Sequence, residues 1–148
     1  MDPANVTVGL AILAGLIVIR KRREKIHANL GYARSRSALR MARKRLSKAR
    51  KLSNRETVLD FYAELNSALV SYIADKLNIS PHGLTTDKVR ELLSEREASE
   101  ELIADIINII QKCDYARYAP STIEQEDIDE SLKTVEEVMV GIEGVKFD

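Results

Sequence analysis

The apolar positions along this chain fall into three regimes. From Val6 to Ile19 (VTVGLAILAGLIVI) they are almost unbroken, with Thr7 the one polar side chain. From Arg20 to Leu52 they thin to a narrow stripe, Leu39, Ala42, Leu46 and Ala49, recurring at i, i+3, i+7 and i+10 as on one face of a helix. From Glu56 onward the apolar face widens. Val58, Phe61, Tyr62, Leu65, Leu69, Tyr72, Ile73 and Leu77 predict a long amphipathic helix over Glu56 to Asn78. Ser80-Pro81-His82-Gly83 then reads as a turn, because proline and glycine both interrupt regular structure. Thr85 or Thr86 caps a short helix carrying Val89, Leu92 and Leu93. Ser99 caps the next, which turns Leu102, Ile103, Ile106, Ile107, Ile110 and Cys113 inward. Ala119-Pro120 stops that helix, and Ser121 with Glu124 reads as a capping box for the last one, whose Ile128, Leu132, Val135, Met139 and Ile142 share one face. No stretch alternates with period two for long, so the predicted fold is all-α.

The first regime has the pattern of a membrane anchor. Pro3 to Ile19 is long enough for about 25 Å of helix, near the lower limit for crossing the hydrocarbon layer of roughly 30 Å. A signal peptide carries positive charge ahead of its apolar run, and here Asp2 is the only charge there. A buried core helix would carry polar residues at helical spacing. Arg20-Lys21-Arg22-Arg23 follows the run directly, so the positive-inside rule puts everything after Arg20 in the cytoplasm. The expected location is the inner (cytoplasmic) membrane, crossed once. The shortness of the run points to the tail of a longer protein, cut near the start of its last spanning helix.

Charge sharpens this division. The net charge is zero, yet residues 1–55 hold 15 Lys/Arg against Asp2 and Glu24, while residues 56–148 hold 8 Lys/Arg against 21 acids. The sequence therefore divides into a transmembrane helix (1–19), a basic juxtamembrane helix (20–53) and a small four-helix cytoplasmic domain (54–148). The basic helix has more charge than orientation requires. A straight helix from Arg20 to Leu52 would reach about 50 Å, and screening over about 8 Å removes any pull of lipid on its far end. Either it bends near Gly31 and lies on anionic lipid, or its Leu/Ala stripe docks on the domain and acids there offset Arg43, Lys44, Arg45 and Lys48. Docking fits better, since the stripe is narrow, rich in alanine and lacks the Trp or Phe of interfacial helices. Nucleic acid is the weakest partner, as no aromatics interleave with the cations.

Candidate chemistry is sparse. Glu24 and His27 have the i, i+3 spacing of a metal pair but stand among cations that repel a metal. Cys113 is the only cysteine and sits on an apolar stripe, where a buried, inert thiol is expected. Glu100-Glu101 and Glu136-Glu137 lie at a helix start or on a polar face. No glycine-rich phosphate loop is present. The residues thus predict no enzyme, no cofactor, no metal and no small-molecule substrate. The densest aromatic cluster is Cys113-Asp114-Tyr115-Ala116-Arg117-Tyr118-Ala119-Pro120. It reads as a helix end whose tyrosines cover the edge of the core, although tyrosine and arginine are also the residues that dominate binding surfaces.

Three stretches carry a family resemblance: Phe61-Tyr62 through Tyr72-Ile73-Ala74-Asp75-Lys76-Leu77-Asn78-Ile79, the turn Gly83-Leu84-Thr85, and Cys113 through Pro120. With the preceding apolar helix and basic stretch, the chain resembles the C-terminal membrane helix and cytoplasmic region of BatD-type (Bacteroides aerotolerance) proteins. The resemblance implies a non-catalytic adaptor in an envelope stress or aerotolerance system, with von Willebrand A-domain (vWA) membrane proteins and a MoxR-type AAA+ ATPase as partners. Within that frame Tyr115, Arg117, Tyr118 and Pro120 are the candidate protein-interaction residues. Arg20, Lys21, Arg22, Arg23, Arg43, Lys44, Arg45 and Lys48 are the candidate lipid or intramolecular electrostatic set.

Overall fold

The structure, a computed structural model, describes residues 2–147. Among these residues every regular element is helical, in the order α1 (Pro3–Lys51), α2 (Val58–Leu77), α3 (Thr86–Glu95), α4 (Glu100–Tyr118) and α5 (Gln125–Glu143). Single 3-10 turns at Arg55–Thr57 and Pro120–Thr122 join α1 to α2 and α4 to α5. The chain divides into two compact units, residues 1–34 and Ser35–Asp148. The second unit therefore begins inside α1 rather than near residue 54, because the last turns of α1 contribute apolar side chains to its core.

In the first unit α1 starts at Pro3, where a missing N–H is harmless. Thr7 turns its hydroxyl back onto the carbonyls of Pro3 and Ala4, at 3.2 and 2.9 Å, so the one polar side chain of the run is satisfied within the helix. Val6 through Ile19 are exposed all round.

The second unit is built around α2 and α4. Helix α2 packs on α4 and α5, and α4 also packs on α3 and α5. Every position predicted for the apolar face of α2 is buried, and Ala68 and Ala74 join it. Because α4 meets three helices, it buries Ile109 and Ala116 beyond its predicted stripe. From α1 come Ala38, Ala42, Leu46 and Ala49, all buried in the same core, with Leu39 half-buried beside them. The stripe on the basic helix thus lies against the bundle. At Gly141 on α5 an added Cβ would stand 2.7 Å from Leu102 Cδ1 of α4, so the two helices meet here where one has no side chain.

Helix ends follow local chemistry. Asn54, Thr85 and Ser99 each cap an N-terminus by accepting a backbone N–H, from Thr57, Lys88 and Leu102 at 3.1, 3.2 and 3.1 Å. The last helix departs from prediction. Ser121 lies in the 3-10 turn, and the cap of α5 is Glu124, whose N–H donates to Asp127 at 2.9 Å. Ile123 before that cap and Ile128 after it are both buried in the core, the arrangement of a hydrophobic staple. Helix α2 ends with Asn78 left-handed (φ 53°) and Ile79 N–H on the Ala74 carbonyl at 3.0 Å. Helix α3 ends the same way, with Ala98 N–H on Leu93 at 3.1 Å, but the left-handed position is Glu97 (φ 57°). A β-carbon is disfavoured there, so Glu97→Gly should raise stability by about 0.5–1 kcal/mol. Urea denaturation reads the shift, and an unchanged or lower midpoint would count against strain at Glu97.

Candidate functional site

The residues singled out in the sequence occupy separate places. Arg20, Lys21, Arg22 and Arg23 lie in the first unit, fully exposed, with Arg20 pairing to Glu24 at 3.4 Å one turn on. In the second unit the cations of α1 divide by face. Lys48 pairs with Glu64 of α2, Arg50 with Glu136 of α5, and Arg55 beyond the helix with Glu124 at 3.0 Å. These pairs flank the buried stripe, and as largely exposed pairs each contributes at most about 1 kcal/mol. Their net effect is to offset charge that would otherwise oppose docking. Arg36, Arg40 and Lys44 point away from the core and carry no ion pair among the described residues.

The aromatic cluster lies on the surface. Cys113 and Ala116 take the inward positions at the end of α4. That helical phase rotates Tyr115 and Tyr118 outward, where they are 55% and 87% exposed. The tyrosines therefore do not cover the edge of the core. Tyr115 places its hydroxyl 3.4 Å from Thr122 Oγ1, Arg117 is exposed, and Pro120 is half-buried at the start of the 3-10 turn. Tyr115 and Tyr118, three residues apart, are accessible on one side of the end of α4, and Arg117 is exposed on another. Cys113 is buried, and burial pushes its thiol up to about 12, which makes it a poor nucleophile. No group of three or more metal-ligating side chains occurs among the described residues.

Two tyrosines of α2 make polar contacts with α5 that apolar periodicity gave no reason to expect. Tyr62 meets the Ser131 hydroxyl at 3.0 Å, and Ser131 in turn donates to the Asp127 carbonyl at 2.7 Å. Tyr72 donates to Glu143, which also receives Lys76 at 2.9 Å, while Lys76 lies 5.9 Å over the Tyr72 ring and 6.0 Å over that of Phe147. Burial, reinforced by the neighbouring carboxylate, holds the Tyr72 hydroxyl well above its ordinary value. At Glu143 partial burial opposes ionisation, but the Tyr72 hydroxyl and the Lys76 ammonium outweigh it and keep the carboxyl below its usual range. Only the spacing Tyr72-x-x-x-Lys76 hinted at this cluster.

The signs of the two shifts set the pH response. The depressed Glu143 contributes stability that is fully present above the ordinary 4.5 and lost as pH falls through the folded value. The raised Tyr72 contributes stability that is fully present below 10.0 and lost as pH rises through its folded value. Tyr72→Phe should cost about 1.5 kcal/mol at pH 7 through the lost hydrogen bond to a carboxylate. It should also flatten the alkaline decline in urea midpoints, and Glu143→Gln the acid one. Curves parallel to wild type in both arms would remove the pair from the account.

A groove of about 650 Å³ runs between the end of α1 and α5, floored by Leu39, Leu46 and Met139, with the exposed Val140 on its rim. Arg43 and Arg50 stand on its α1 wall, and Glu136 and Glu143 on its α5 wall. It was not legible in the sequence, since it arises from two segments distant in the chain.

Comparison with protein-family models, curated proteins and solved structures finds no match to this chain.

Proposed function

We propose that this protein is a membrane-anchored interaction domain: a single span of the inner membrane, with a helical C-terminal unit in the cytoplasm that binds partners and performs no catalysis. The observation that carries this reading is the exposure of α1. Its N-terminal stretch is long and apolar enough to cross a membrane, and none of it is buried. The second unit has a core of its own without it. Water would have to solvate a continuous apolar surface, and a bilayer removes that penalty at about 25 cal/mol per Å². The cations directly after the run give the orientation. The resemblance to BatD-type proteins adds the adaptor role, with vWA membrane proteins and a MoxR-type AAA+ ATPase as partners. The exposed Tyr115, Arg117 and Tyr118, of the residue types that dominate binding surfaces, are the proposed contact.

Two measurements test it. In fractionated cells the chain should stay with membranes through alkaline extraction, and recovery as a monomer from detergent-free buffer would end the anchored reading. Capture of a vWA or AAA+ partner should then fall with Arg117→Ala in a chain whose circular dichroism is unchanged. Undiminished capture removes Arg117 from the contact.

A second reading, anionic-lipid binding by the basic helix, draws support from the exposed outward face of Arg36, Arg40 and Lys44, which carry no ion pair among the described residues. Flotation of residues 20–148 with anionic but not neutral vesicles, reversed by salt, would favour it. The same face admits nucleic acid as a weaker option.

A further inference from the structure

The groove between α1 and α5 is charged in a self-complementary pattern. Arg50 pairs with Glu136, and one heptad along Arg43 acts on Glu143 across the opening. Since 50 opposes 136 and 43 opposes 143, the two walls run antiparallel, one wholly cationic and the other wholly anionic at these rungs. Between the rungs lies an apolar floor, and Val140 stands beside it 74% exposed, the most exposed large aliphatic side chain of the second unit. Val140 and the floor form one apolar strip rimmed by charge, the layout of an interaction surface.

We propose that the occupant of this groove is a second copy of the chain, forming a two-fold dimer through α1 and α5. A two-fold axis along the groove lays α1 of each copy over α5 of the other at the same height. Arg43 then meets the partner's Glu143, and Arg50 meets the partner's Glu136. The contact is isologous, with the same patch used twice. Val140 of each copy is carried onto the apolar floor of the other, beside Leu39 and Leu46. Arg50 and Glu136 already pair within one copy, and Glu143 holds Lys76 and Tyr72, so the second copy adds a further opposite charge to each rung rather than its first. A partner with charge on one wall only would oppose one of the two walls. The inference goes beyond the anchored-adaptor reading and does not depend on which protein that adaptor binds.

The test is sedimentation velocity on the full chain in detergent micelles. Wild type should be dimeric, and Val140→Asp should weaken the dimer at least about tenfold by placing a charge on the apolar floor. Arg50→Glu and Glu136→Arg should each weaken it about tenfold, because each sets like charges against one another twice across the axis. An equimolar mixture of those two variants should recover the wild-type association, since all four contacts are then between opposite charges. Circular dichroism confirms that each variant is folded. Wild type that stays monomeric to roughly 0.1 mM, a mixture no tighter than its components, or a Val140→Asp dimer as tight as wild type would each overturn the proposal. The last result would place the association in the apolar N-terminal helix instead.

Discussion

Arginine at position 42 should detach the end of α1 from the bundle. Ala42 is fully buried, its stripe neighbours Ala38, Leu46 and Ala49 share the core, and no acidic side chain is buried in that core among the described residues. A guanidinium there must either lose its hydration without a partner or drive the helix outward, at a cost of about 3 kcal/mol or more. Detachment is the easier route, because α2 to α5 pack on one another without it. Trypsin should therefore cut rapidly among Arg43, Lys44, Arg45 and Lys48 in Ala42→Arg while α2–α5 remain protected. Met41→Arg, one residue away and exposed, should change stability by no more than about 0.5 kcal/mol. Equal protease resistance of the two variants would show that the seam contributes little.

The second large effect belongs to the other unit. Leu13 lies at the middle of the apolar stretch and is exposed. Placed at the centre of a spanning helix, an arginine costs about 2.5–3.5 kcal/mol. The run is near the minimum length for crossing, so little apolar surface remains to absorb that loss. Leu13→Arg should move much of the chain from the alkali-resistant membrane fraction to the extractable one, while Leu13→Ile leaves it in place. If Leu13→Arg partitions like wild type, the stretch does not span a bilayer.

What could be seen in the sequence was what periodicity and capping encode. The buried face of α2 was readable residue by residue, and Ser99 and the Thr85-Thr86 pair marked two helix starts, of which the structure selects Thr85 as the cap of α3. The end of α4 was readable at Ala119-Pro120, but the start of α5 was not. Ser121 and Glu124 have the spacing of a capping box, yet Pro120 initiates a 3-10 turn that absorbs Ser121. Ile123 and Ile128, which bracket the true cap, were the better signal because burial selects them and hydrogen bonding alone does not.

The aromatic patch shows a different limit. Its residue types suggested a covered edge, whereas helical phase decides exposure, and Cys113 and Ala116 already hold the inward positions. Contacts between distant elements were the least legible. Nothing local links Tyr72 with Glu143, or Arg50 with Glu136. The docking of the alanine-rich stripe could be read, but the boundary of the second unit could not, since how far up the basic helix the bundle reaches depends on tertiary packing. The BatD-type resemblance bears on roles and leaves the geometry of these contacts unspecified.

Helix α3 packs chiefly on α4, whereas α4 is shared by three helices. The two therefore differ in the free energy of local opening. Lifting α3 away uncovers Val89, Leu93 and the side of α4 beneath them, while the backbone hydrogen bonds at the middle of α4 stay formed until the whole unit comes apart. In native-state hydrogen exchange the amides around Val89 to Leu93 should exchange through a sub-global opening, with a weaker response to denaturant. Those around Ile106 to Ile110 should follow global unfolding, making α4 the slow-exchange centre of the molecule and α3 its hinged cover.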